Sequence, residues 1–509
     1  MASDRLTVIV LAAGQGTRMR SALPKVLHAV AGRTLVGHVL AAAAPASPDD
    51  VVVVVGHERQ LVIDHLAQTA PAVVAVVQEQ QNGTGHAVRV ALDALPDTDG
   101  TVLVLAGDVP LLQGRTIAAL LDAHRTSGAV ATLLTARVPN PTGYGRVVRD
   151  SSGAVTAIVE HRDADETVRA IDEINSAIYA FDAHSLRKAL AGLTAHNAQG
   201  EEYLTDVVAD FVAHGLSVHA VVAEDAADTE GVNDRAQLAR AGATLRDRLT
   251  SAALRDGVTI IDPATTWLDA TVVLETDAVI EPFTQLTGAT IVRAGAIVGP
   301  YTRLTNCTVG AGARVLSSIG VGAVIGEHAE IGPYSYLRPG TVVGRRAKVG
   351  GFVETKNATI GDDSKVPHLS YVGDAVIGER TNVGAATIFV NFDGVAKHHT
   401  VVGNDVRIGS DSMLVAPVRI ADGAYTAAGS VITEDVPPGA MAVARARQRT
   451  IDGWVERRRP GTRSAESARL AREAETVSGG ANEADRQGTT GPSTSSTDPD
   501  AQRSQGVEQ

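Results

Sequence analysis

Aliphatic residues recur every six positions between about residue 274 and about residue 432, with two interruptions. The runs are Leu274, Ile280, Leu286, Val292, Val298 and Leu304, then Ile319, Ile325, Ile331, Leu337, Val343 and Val349, and finally Val402, Ile408, Leu414 and Ile420. A period of six places one aliphatic side chain on each short strand, with turn residues before the next strand. Stacked coils then bury a continuous aliphatic column. The pattern predicts a parallel β-helix, which can serve as a scaffold, an oligomerisation device or an acyltransferase.

Length and composition bound the rest of the fold. A chain of 509 residues exceeds one compact core, so two or three domains are expected. Glycine is abundant at 50 residues and aromatic residues make up only 3%. This balance suits stacked coils, because tight corners need glycine and wide rings find little room between coils.

Charge and cysteine content restrict the function classes. The net charge of −13 argues against a general nucleic-acid binder, whose surface would carry a basic field. An anionic substrate must therefore meet a local cluster of Arg and Lys. The single cysteine, Cys307, excludes an intrachain disulfide framework and argues against a cysteine-rich zinc site. These features predict a cytoplasmic protein, and no run approaches the ~20 apolar residues of a membrane span.

Residues 1–233 alternate short aliphatic runs with amphipathic stretches such as Thr116–Arg125. The predicted strands are Thr7–Leu11, Val51–Val55, Val73–Val77, Val102–Ala106, Ala129–Leu134 and Val218–Val222. Apolar strands separated by helices predict a Rossmann-like α/β domain with a parallel sheet covered on both faces. Although Leu6–Leu11 follows Arg5 and loosely resembles an export signal, we interpret it as the first strand because Gly14-Gln15-Gly16 ends the run.

Three further segments complete the predicted organisation. Residues 234–254 begin with Asp and are rich in Ala, Arg and Leu, which predicts a helix linking two domains. Residues 255–459 form the β-helix domain. Residues 460–509 are rich in Ser, Thr, Gly, Glu and Gln, and this composition predicts a disordered tail. The preceding Arg457-Arg458-Arg459 run is interpreted as a solvated charge cluster.

A glycine-rich turn follows the first strand, at the sheet edge where open α/β sheets bind ligands. The turn reads Leu11-Ala12-Ala13-Gly14-Gln15-Gly16-Thr17-Arg18-Met19. It lacks the third glycine of a dinucleotide fingerprint and the Gly-Lys-Ser/Thr of a Walker A loop. A tight strand-to-helix turn would explain the glycines, but it would not explain the adjacent cations Arg18 and Lys25. We interpret the turn as a phosphate site.

The motif L-A-A-G-x-G-T-R-M followed by L-P-K resembles the signature of sugar-1-phosphate nucleotidyltransferases. Leu105-Ala106-Gly107-Asp108-Val109-Pro110 is similar to the metal motif of this family, although an isolated aspartate at a strand end is more often a cap. The resemblance implies that Asp108 and Asn233 hold Mg²⁺ and that UTP is the nucleotide. The implied substrate contacts are Leu11, Ala12, Ala13, Gly14, Arg18, Lys25, Gln78, Gly83, Thr84, Gly145, Glu160, Asn175 and Asn233.

The chemistry of such a site needs no protein nucleophile. A sugar 1-phosphate oxygen attacks the α-phosphorus of a nucleoside triphosphate, and pyrophosphate leaves. Because two polyanions must be brought together in line, catalysis consists mainly of positioning and charge neutralisation.

A second candidate site lies where the six-residue pattern breaks, between Phe352 and His399. Repeat proteins carry function on such insertions, which escape the stacking constraint. Although a lone histidine is usually structural, His368 is accompanied by two cations suited to a phosphate, Arg338 and Lys356, and by the hydroxyl of Tyr371. An imidazole accepts a proton from an amine near neutral pH, as acyl transfer from a thioester to an amine requires.

The motifs H-L-S-Y-x-G-D-A-x-I-G, N-x-G-A, G-S-D and A-A-G resemble those of the family of bifunctional N-acetylglucosamine-1-phosphate uridyltransferases/glucosamine-1-phosphate acetyltransferases. The resemblance implies that His368 accepts the proton and that Arg338, Lys356, Tyr371 and Asn382 bind the amino-sugar phosphate. The implied acetyl-CoA contacts are Ala385, Asn391, Phe392, Ser410, Ala428 and Arg445. Phe392 departs from the family's usual Tyr, which removes one possible hydrogen bond worth ~1 kcal/mol.

The resemblance to this family predicts a bifunctional enzyme that acetylates glucosamine 1-phosphate with acetyl-CoA. It then couples N-acetylglucosamine 1-phosphate to UTP, which supplies precursors for peptidoglycan and lipopolysaccharide-type polymers. The resemblance also implies a left-handed β-helix and a homotrimer, and neither nucleic acid nor membrane is an expected partner. Two alternatives stay open: a nucleotidyltransferase whose β-helix only oligomerises or regulates, and a non-enzymatic nucleotide-binding or scaffold protein.

Overall fold

The computed structural model describes residues 5–195, 197 and 199–486. By internal contacts the chain divides after Ala444 into two units, which are described separately. The first unit holds an α/β domain, a long connecting helix and a β-helix. The second unit holds two helices.

The α/β domain is built on a nine-stranded sheet and a small two-stranded hairpin. In chain order its strands are β1 (Leu6–Ala12), β2 (Ala29–Val30), β3 (Arg33–Thr34), β4 (Asp50–Val55), β5 (Val74–Val77), β6 (Thr101–Ala106), β7 (Ala131–Arg137), β8 (Arg146–Arg149), β9 (Val155–Val159), β10 (Glu173–Asp182) and β11 (Val218–Val222). The sheet order is β11-β7-β10-β6-β1-β4-β5, with β8 and β9 attached beside β10.

The sheet is mixed rather than wholly parallel, so the predicted topology needs one correction. Strands β1, β4, β5 and β6 pair in parallel as expected, and so do β7 and β11. Strand β10, however, runs antiparallel between β6 and β7, and β8 and β9 form an antiparallel pair. These strands escaped prediction because β10 opens with polar residues, Glu173, Asn175 and Ser176, so that it lacks the aliphatic run of its neighbours.

Helices cover both faces of this sheet. They are α1 (Leu35–Ala43), α2 (Arg59–Thr69), α3 (Thr84–Ala94), α4 (Gly114–Ser127), α5 (Glu166–Arg169), α6 (Ala183–Leu190) and α7 (Asp206–Ala213), with short 3₁₀ turns at Thr17–Met19, Lys25–Leu27, Ala44–Ala46 and Ala226–Thr229. Along β1, Ile9 belongs to one buried cluster, whereas Val8 and Val10 belong to another on the opposite side. This alternation is what a strand buried on both faces requires.

A long helix, α8 (Arg235–Arg255), follows the α/β domain at the position predicted for a linker. The side chain of Asp234 caps its first turn by accepting a hydrogen bond from the Gln237 N–H. Near its other end, Leu249 and Ala253 pack against the core of the β-helix. The helix thereby contacts both parts of the first unit, while the exact domain boundaries remain predictions.

The β-helix is a prism with three faces, and a 3₁₀ turn at Pro263–Thr265 joins its first two strands. Face 1 comprises Thr259–Ile260, Val279–Ile280, Ile297–Val298, Arg314–Val315, Glu330–Ile331, Lys348–Gly351, Lys365–His368, Asn382–Val383, Arg407–Ile408, Tyr425–Thr426 and Met441–Ala442. Face 2 comprises Trp267–Leu268, Gln285–Thr287, Arg303–Thr305, Ile319–Val321, Tyr336–Leu337, Ile388–Val390, Met413–Val415 and Val431–Ile432. Face 3 comprises Val273–Leu274, Ile291–Val292, Thr308–Val309, Val324–Ile325, Val342–Val343, Thr400–Val402 and Val418–Ile420. Two long strands, Glu354–Ile360 and Tyr371–Ile377, contribute to faces 2 and 3.

The aliphatic column predicted from the six-residue period is the core of this prism. Leu286, Val298 and Leu304 are 0% exposed, and the other residues of the period except Leu274 and Ile319 are at most 3% exposed. All strand pairings between coils are parallel, as between Ile280 and Val298. The predicted β-helix architecture is therefore confirmed.

One corner of the prism carries large exposed side chains. Between faces 1 and 2, Phe283, Tyr301, Tyr334, Phe352 and Leu369 are each at least 50% exposed, and we call this set the apolar corner. Phe283 stacks on Tyr301 with ring centroids 4.9 Å apart, and Tyr334 stacks on Phe352 at 5.3 Å. All five residues have positive φ angles, a conformation that large side chains rarely adopt.

The second unit contains α9 (Trp454–Arg458) and α10 (Arg463–Arg486). The helix α10 shows that the prediction of disorder does not hold for residues 463–476. Its Ala, Arg and Glu residues are strong helix formers, and Arg469 pairs with Glu473 one turn away at 2.7 Å. The remainder of the predicted tail, residues 487–509, lies outside the described residues. Among the residues that the structure describes, no helix combines the length and apolar character needed to cross a membrane.

Candidate active sites

A cavity of about 460 Å³ opens at the carboxyl ends of β1 and β6. The predicted residues that line it are Leu11, Ala12, Ala13, Gly14, Lys25, Gln78, Gly83, Thr84 and Asp108. Gly16 adopts the left-handed φ of 61°, and a Cβ there would lie 2.6 Å from the Lys25 Cβ. A glycine is therefore needed to bring Lys25 against the turn.

Two cations and two oxygen-bearing side chains meet beside this cavity. The Lys25 ammonium contacts Oδ2 of Asp108 and donates to Oδ1 of Asn233 at 3.2 Å. The Arg18 guanidinium donates to the same Asn233 oxygen at 2.8 Å. Residues far apart in sequence thus form one cluster, which we call the Asp108 cluster. Lys25 and Asp108 are largely enclosed, with side chains 15% and 20% exposed.

The Asp108 cluster has the donor set of a magnesium site. Asp108 and Asn233 direct their oxygens at one cation, the Lys25 ammonium, so a positive charge is accommodated at this point. Mg²⁺ prefers hard oxygen ligands and is usually held by one or two protein groups together with water and substrate phosphates. Within the described part of the chain, no group of three or more His, Cys, Asp or Glu residues offers an alternative metal site.

Three further predicted residues form a separate group beside β10. The Asn175 N–H donates to the Gly145 carbonyl at 2.9 Å, and a Cβ on Gly145 would lie 3.4 Å from Oε1 of Glu160. Burial raises the pKa of Glu160, while a hydrogen bond from Thr205 opposes that rise. The strand is bulged between Asn175 and Ile178, and bulges commonly re-aim side chains near active sites.

A second candidate site on the β-helix begins with a basic cluster, formed by Arg338, Lys356 and Lys397. Contact with the Lys397 side chain lowers the pKa of Lys356, and the Arg338 guanidinium adds to this effect. Glu354 accepts a hydrogen bond from Arg338 at 2.8 Å and leaves the cluster with excess positive charge. Such crowding of cations favours binding of an anion.

Asp374 organises the amides beside the basic cluster. This carboxylate is only 6% exposed and accepts hydrogen bonds from Asn357 at 2.8 Å and Asn391 at 2.5 Å. Burial alone would raise the pKa of Asp374, but these two bonds together with the nearby lysines lower it. The Asn391 amide also lies 3.4 Å from the Tyr371 hydroxyl.

His368 lies at the corner between faces 1 and 2, with its side chain exposed. In the next coil the Ala386 N–H donates to the His368 carbonyl at 3.2 Å. The Asp411 N–H then donates to the Ala385 carbonyl at 2.7 Å, and the Gly429 N–H to the Ser410 carbonyl at 2.8 Å. Ladder bonds between coils therefore align His368 with Ala385, Ser410 and Ala428, and we call these four residues the His368 column.

Comparisons with known proteins match both parts of the first unit. Residues 8–175 match the family model of the MobA-like NTP transferase domain, and residues 320–422 match that of the GMPPB C-terminal domain. The bifunctional protein GlmU of Streptomyces avermitilis is 57% identical, with 91% of this chain and 97% of that protein covered. The GlmU of Corynebacterium glutamicum is 54% identical, with 91% and 96% covered. The chain belongs to the bifunctional GlmU family. The resemblance inferred from the motifs is confirmed.

Face 2 separates the His368 column from the basic cluster. Tyr371 follows His368 by three residues and pairs across the coils with Glu354. Lys356 lies two residues beyond Glu354 on the same strand. His368, the predicted proton acceptor, and the basic cluster therefore border one strip of the prism surface, with a phenol and a carboxylate between them.

Of the other predicted acetyltransferase residues, Asn382 does not join these clusters within the first unit. Asn382 lies on face 1, where it lines a groove of about 270 Å³ with Lys365, Arg380 and Arg407. The side chain of Phe392 is 55% exposed, and its backbone pairs with that of Lys397 of the basic cluster. Arg445 is an exposed residue at the start of the second unit. Their roles stay predictions.

Three residues that line the cavity were not predicted from the sequence motifs. Gln81 lines the cavity at the carboxyl ends of β1 and β6 and donates to the Ala13 carbonyl at 2.7 Å. Ala177 and Glu201 line it as well. Gln81 belongs to the Gln-rich run that begins at Gln78, so its position gave a weak signal. Ala177 lies in the bulge of β10, and no sequence pattern predicts this bulge.

Proposed function

We propose that the β-helix acetylates glucosamine 1-phosphate with acetyl-CoA and that the α/β domain couples the product to UTP. The products are UDP-N-acetylglucosamine and pyrophosphate. The observation that carries this function is the presence of two independent clusters, one around Asp108 and one around His368, in a chain matched almost end to end by bifunctional relatives. Membership of the GlmU family makes this a bifunctional transferase, so the single-activity and non-enzymatic alternatives are set aside.

The acetyl transfer uses His368 as the base. The substrate amine attacks the thioester carbonyl, the exposed imidazole takes the ammonium proton as the tetrahedral species forms, and the coenzyme A thiolate leaves. Arg338, Lys356 and Lys397 hold the phosphate, at a distance from His368 set by the width of face 2. The thioester lies along the His368 column.

The uridylyl transfer uses the Asp108 cluster. Arg18 and Lys25 neutralise the triphosphate beside the glycine-rich turn, and Gln78 and Gln81 also line the cavity. Gly145, Glu160 and Asn175 hold the sugar. When bound, Mg²⁺ on Asp108 and Asn233 supplies the remaining positive charge. The sugar phosphate oxygen attacks the α-phosphorus and pyrophosphate leaves without a protein nucleophile.

We place the enzyme in the cytoplasm as a supplier of precursors for peptidoglycan and lipopolysaccharide-type polymers. Both placements follow the family resemblance. The single cysteine, Cys307, is buried in the β-helix, which suits a reducing compartment.

A homotrimer is the assembly that best explains the surface of the β-helix. The apolar corner exposes five large residues and ends at Leu369, directly after the catalytic candidate His368. Exposed apolar patches of this kind mark protein interfaces. Asn382 also lies on a different face from Lys356, so substrate contacts separated within one chain would meet if neighbouring chains complete the site.

Replacing Leu369 with aspartate is expected to dissociate the trimer, because the new charge would be buried at the proposed interface. Sedimentation should report smaller species, acetyltransferase activity should fall, and uridyltransferase activity should persist. Leu216→Asp, an exposed position of the α/β domain, is the matched control and should leave both the assembly and the activities intact. An unchanged trimer in Leu369→Asp would contradict the proposed interface.

The function itself is tested by two direct assays on one preparation. Acetyl-CoA with glucosamine 1-phosphate should release a free thiol, and UTP with N-acetylglucosamine 1-phosphate and Mg²⁺ should release pyrophosphate. Each assay serves as the folding control for the other. Absence of thiol release from a trimeric protein that releases pyrophosphate would reject the acetyltransferase half of the proposal.

A further inference from the structure

Asp228 is a buried carboxylate that neither active site uses directly. Its side chain is 2% exposed and lies in the 3₁₀ turn five residues before Asn233. Gln113 donates to its Oδ1 at 2.9 Å, and the Thr116 hydroxyl contacts its Oδ2. A buried charge persists only when it is paired and hydrogen-bonded, so this arrangement requires a cation.

Arg248 of α8 supplies that cation and bonds to two segments at once. Its Nη2 donates to Oδ1 of Asp228 and to Oδ2 of Asp225, both at 2.7 Å. Its Nη1 donates to the Leu111 carbonyl at 2.6 Å. The planar guanidinium can hold these acceptors in a fixed relation, which a lysine ammonium cannot reproduce.

The two segments joined by Arg248 are those that carry the proposed metal ligands. Leu111 follows Asp108 by three residues, while Asp228 precedes Asn233 by five. The segments also meet directly, since the Val232 N–H donates to the Asp108 carbonyl at 2.9 Å. Near the start of α8, the Gln237 side chain accepts a hydrogen bond from the Asn233 N–H at 2.6 Å.

The backbone of α8 is itself held in place around Arg248. Leu111 and Val232 pack in one buried cluster with Ala241 and Leu245 of this helix. Leu249, the residue after Arg248, packs against the β-helix core. Arg248 therefore projects from a fixed helix rather than from a loop, which gives it the rigidity needed to position other groups.

We infer that the Arg248–Asp228 pair positions Asp108 and Asn233 for metal binding. This inference rests on the proposed metal role of those two residues. Arg248 and Asp228 do not contact the metal; they fix the distance between the segment after β6 and the segment before α8. Outer partners of this kind typically contribute 10- to 100-fold to metal affinity or activity.

The test replaces Arg248 with methionine, which keeps an unbranched apolar stem and removes the charge and the hydrogen-bond donors. The Mg²⁺ concentration that half-activates the uridyltransferase is expected to rise about tenfold or more. Mn²⁺ binding in the presence of UDP-N-acetylglucosamine, followed by electron paramagnetic resonance, should weaken by a similar factor. Acetyltransferase activity should be unchanged. Arg248→Lys should lose less Mn²⁺ affinity than Arg248→Met, because lysine keeps the charge but lacks the planar guanidinium that bonds several acceptors at once.

Arg246→Met is the matched control on the same helix. Arg246 donates to the Ala264 carbonyl at 3.0 Å and stacks over Trp267, so it contacts the β-helix rather than the metal segments. Asp108→Ala distinguishes failure of the proposed metal site from failure of the positioning role of Arg248. If Asp108→Ala keeps normal Mn²⁺ binding, the proposed metal site fails; if it loses binding while Arg248→Met does not, only the positioning role fails. Should Arg248→Met not fold, wild-type Mn²⁺ affinity in Arg248→Lys overturns the inference.

Discussion

Replacing His368 with alanine is expected to lower the rate of acetyl transfer by about 10²- to 10⁴-fold. The substitution removes the only imidazole of the His368 column, so the attacking amine would have to lose its proton to water. The rate should be measured as thiol release from acetyl-CoA at saturating glucosamine 1-phosphate. The uridyltransferase rate should stay at the wild-type level, because the Asp108 cluster lies in the other domain.

His328→Ala is the matched control for this variant. His328 is also exposed at a corner of the β-helix, but it lies between faces 3 and 1, more than two coils before His368. Its replacement should leave both activities unchanged. Full acetyltransferase activity in His368→Ala would mean that another group, or water alone, accepts the proton.

The β-helix and the Asp108 cluster were both predictable from the sequence, for different physical reasons. The core of the β-helix repeats once per coil, so the six-residue period of the sequence predicts the burial of Ile325 and Leu337. The Asp108 cluster joins distant residues, yet Lys25 and Asp108 each follow a strand of one sheet. Because the carboxyl ends of neighbouring parallel strands meet at one edge, their motifs predict proximity.

The features that escaped prediction depend on contacts rather than on local pattern. Strand β10 contains Glu173, whose carboxylate pairs with Arg149 at 2.6 Å. Because such pairing lets polar residues occur in a buried strand, the apolar pattern did not predict it. Asp374 and Asp228 are likewise carboxylates whose partners lie far along the chain. For α10 the composition led to a wrong prediction of disorder. This segment has few apolar residues, but its helix propensity and ion pairs such as Arg469–Glu473 stabilise a helix.

Replacing Asp108 with alanine is expected to lower the uridyltransferase rate by about 10²- to 10³-fold. The loss has two parts: the carboxylate no longer holds the metal, and the largely enclosed Lys25 ammonium loses the partner that fixes its position beside the phosphates. Pyrophosphate release should be measured across Mg²⁺ concentrations, and acetyltransferase activity should be unaffected.

Asp122→Ala is the matched control, because Asp122 is an exposed aspartate of the same domain that pairs with Arg125 one turn away. Both aspartate variants should retain the wild-type assembly. If Asp108→Ala kept wild-type pyrophosphate release at low Mg²⁺, the carboxylate would be a structural partner of Lys25 and the metal would have to bind elsewhere. A loss that excess Mg²⁺ partly restores would instead assign the carboxylate to metal affinity, since added metal cannot replace a missing contact to Lys25.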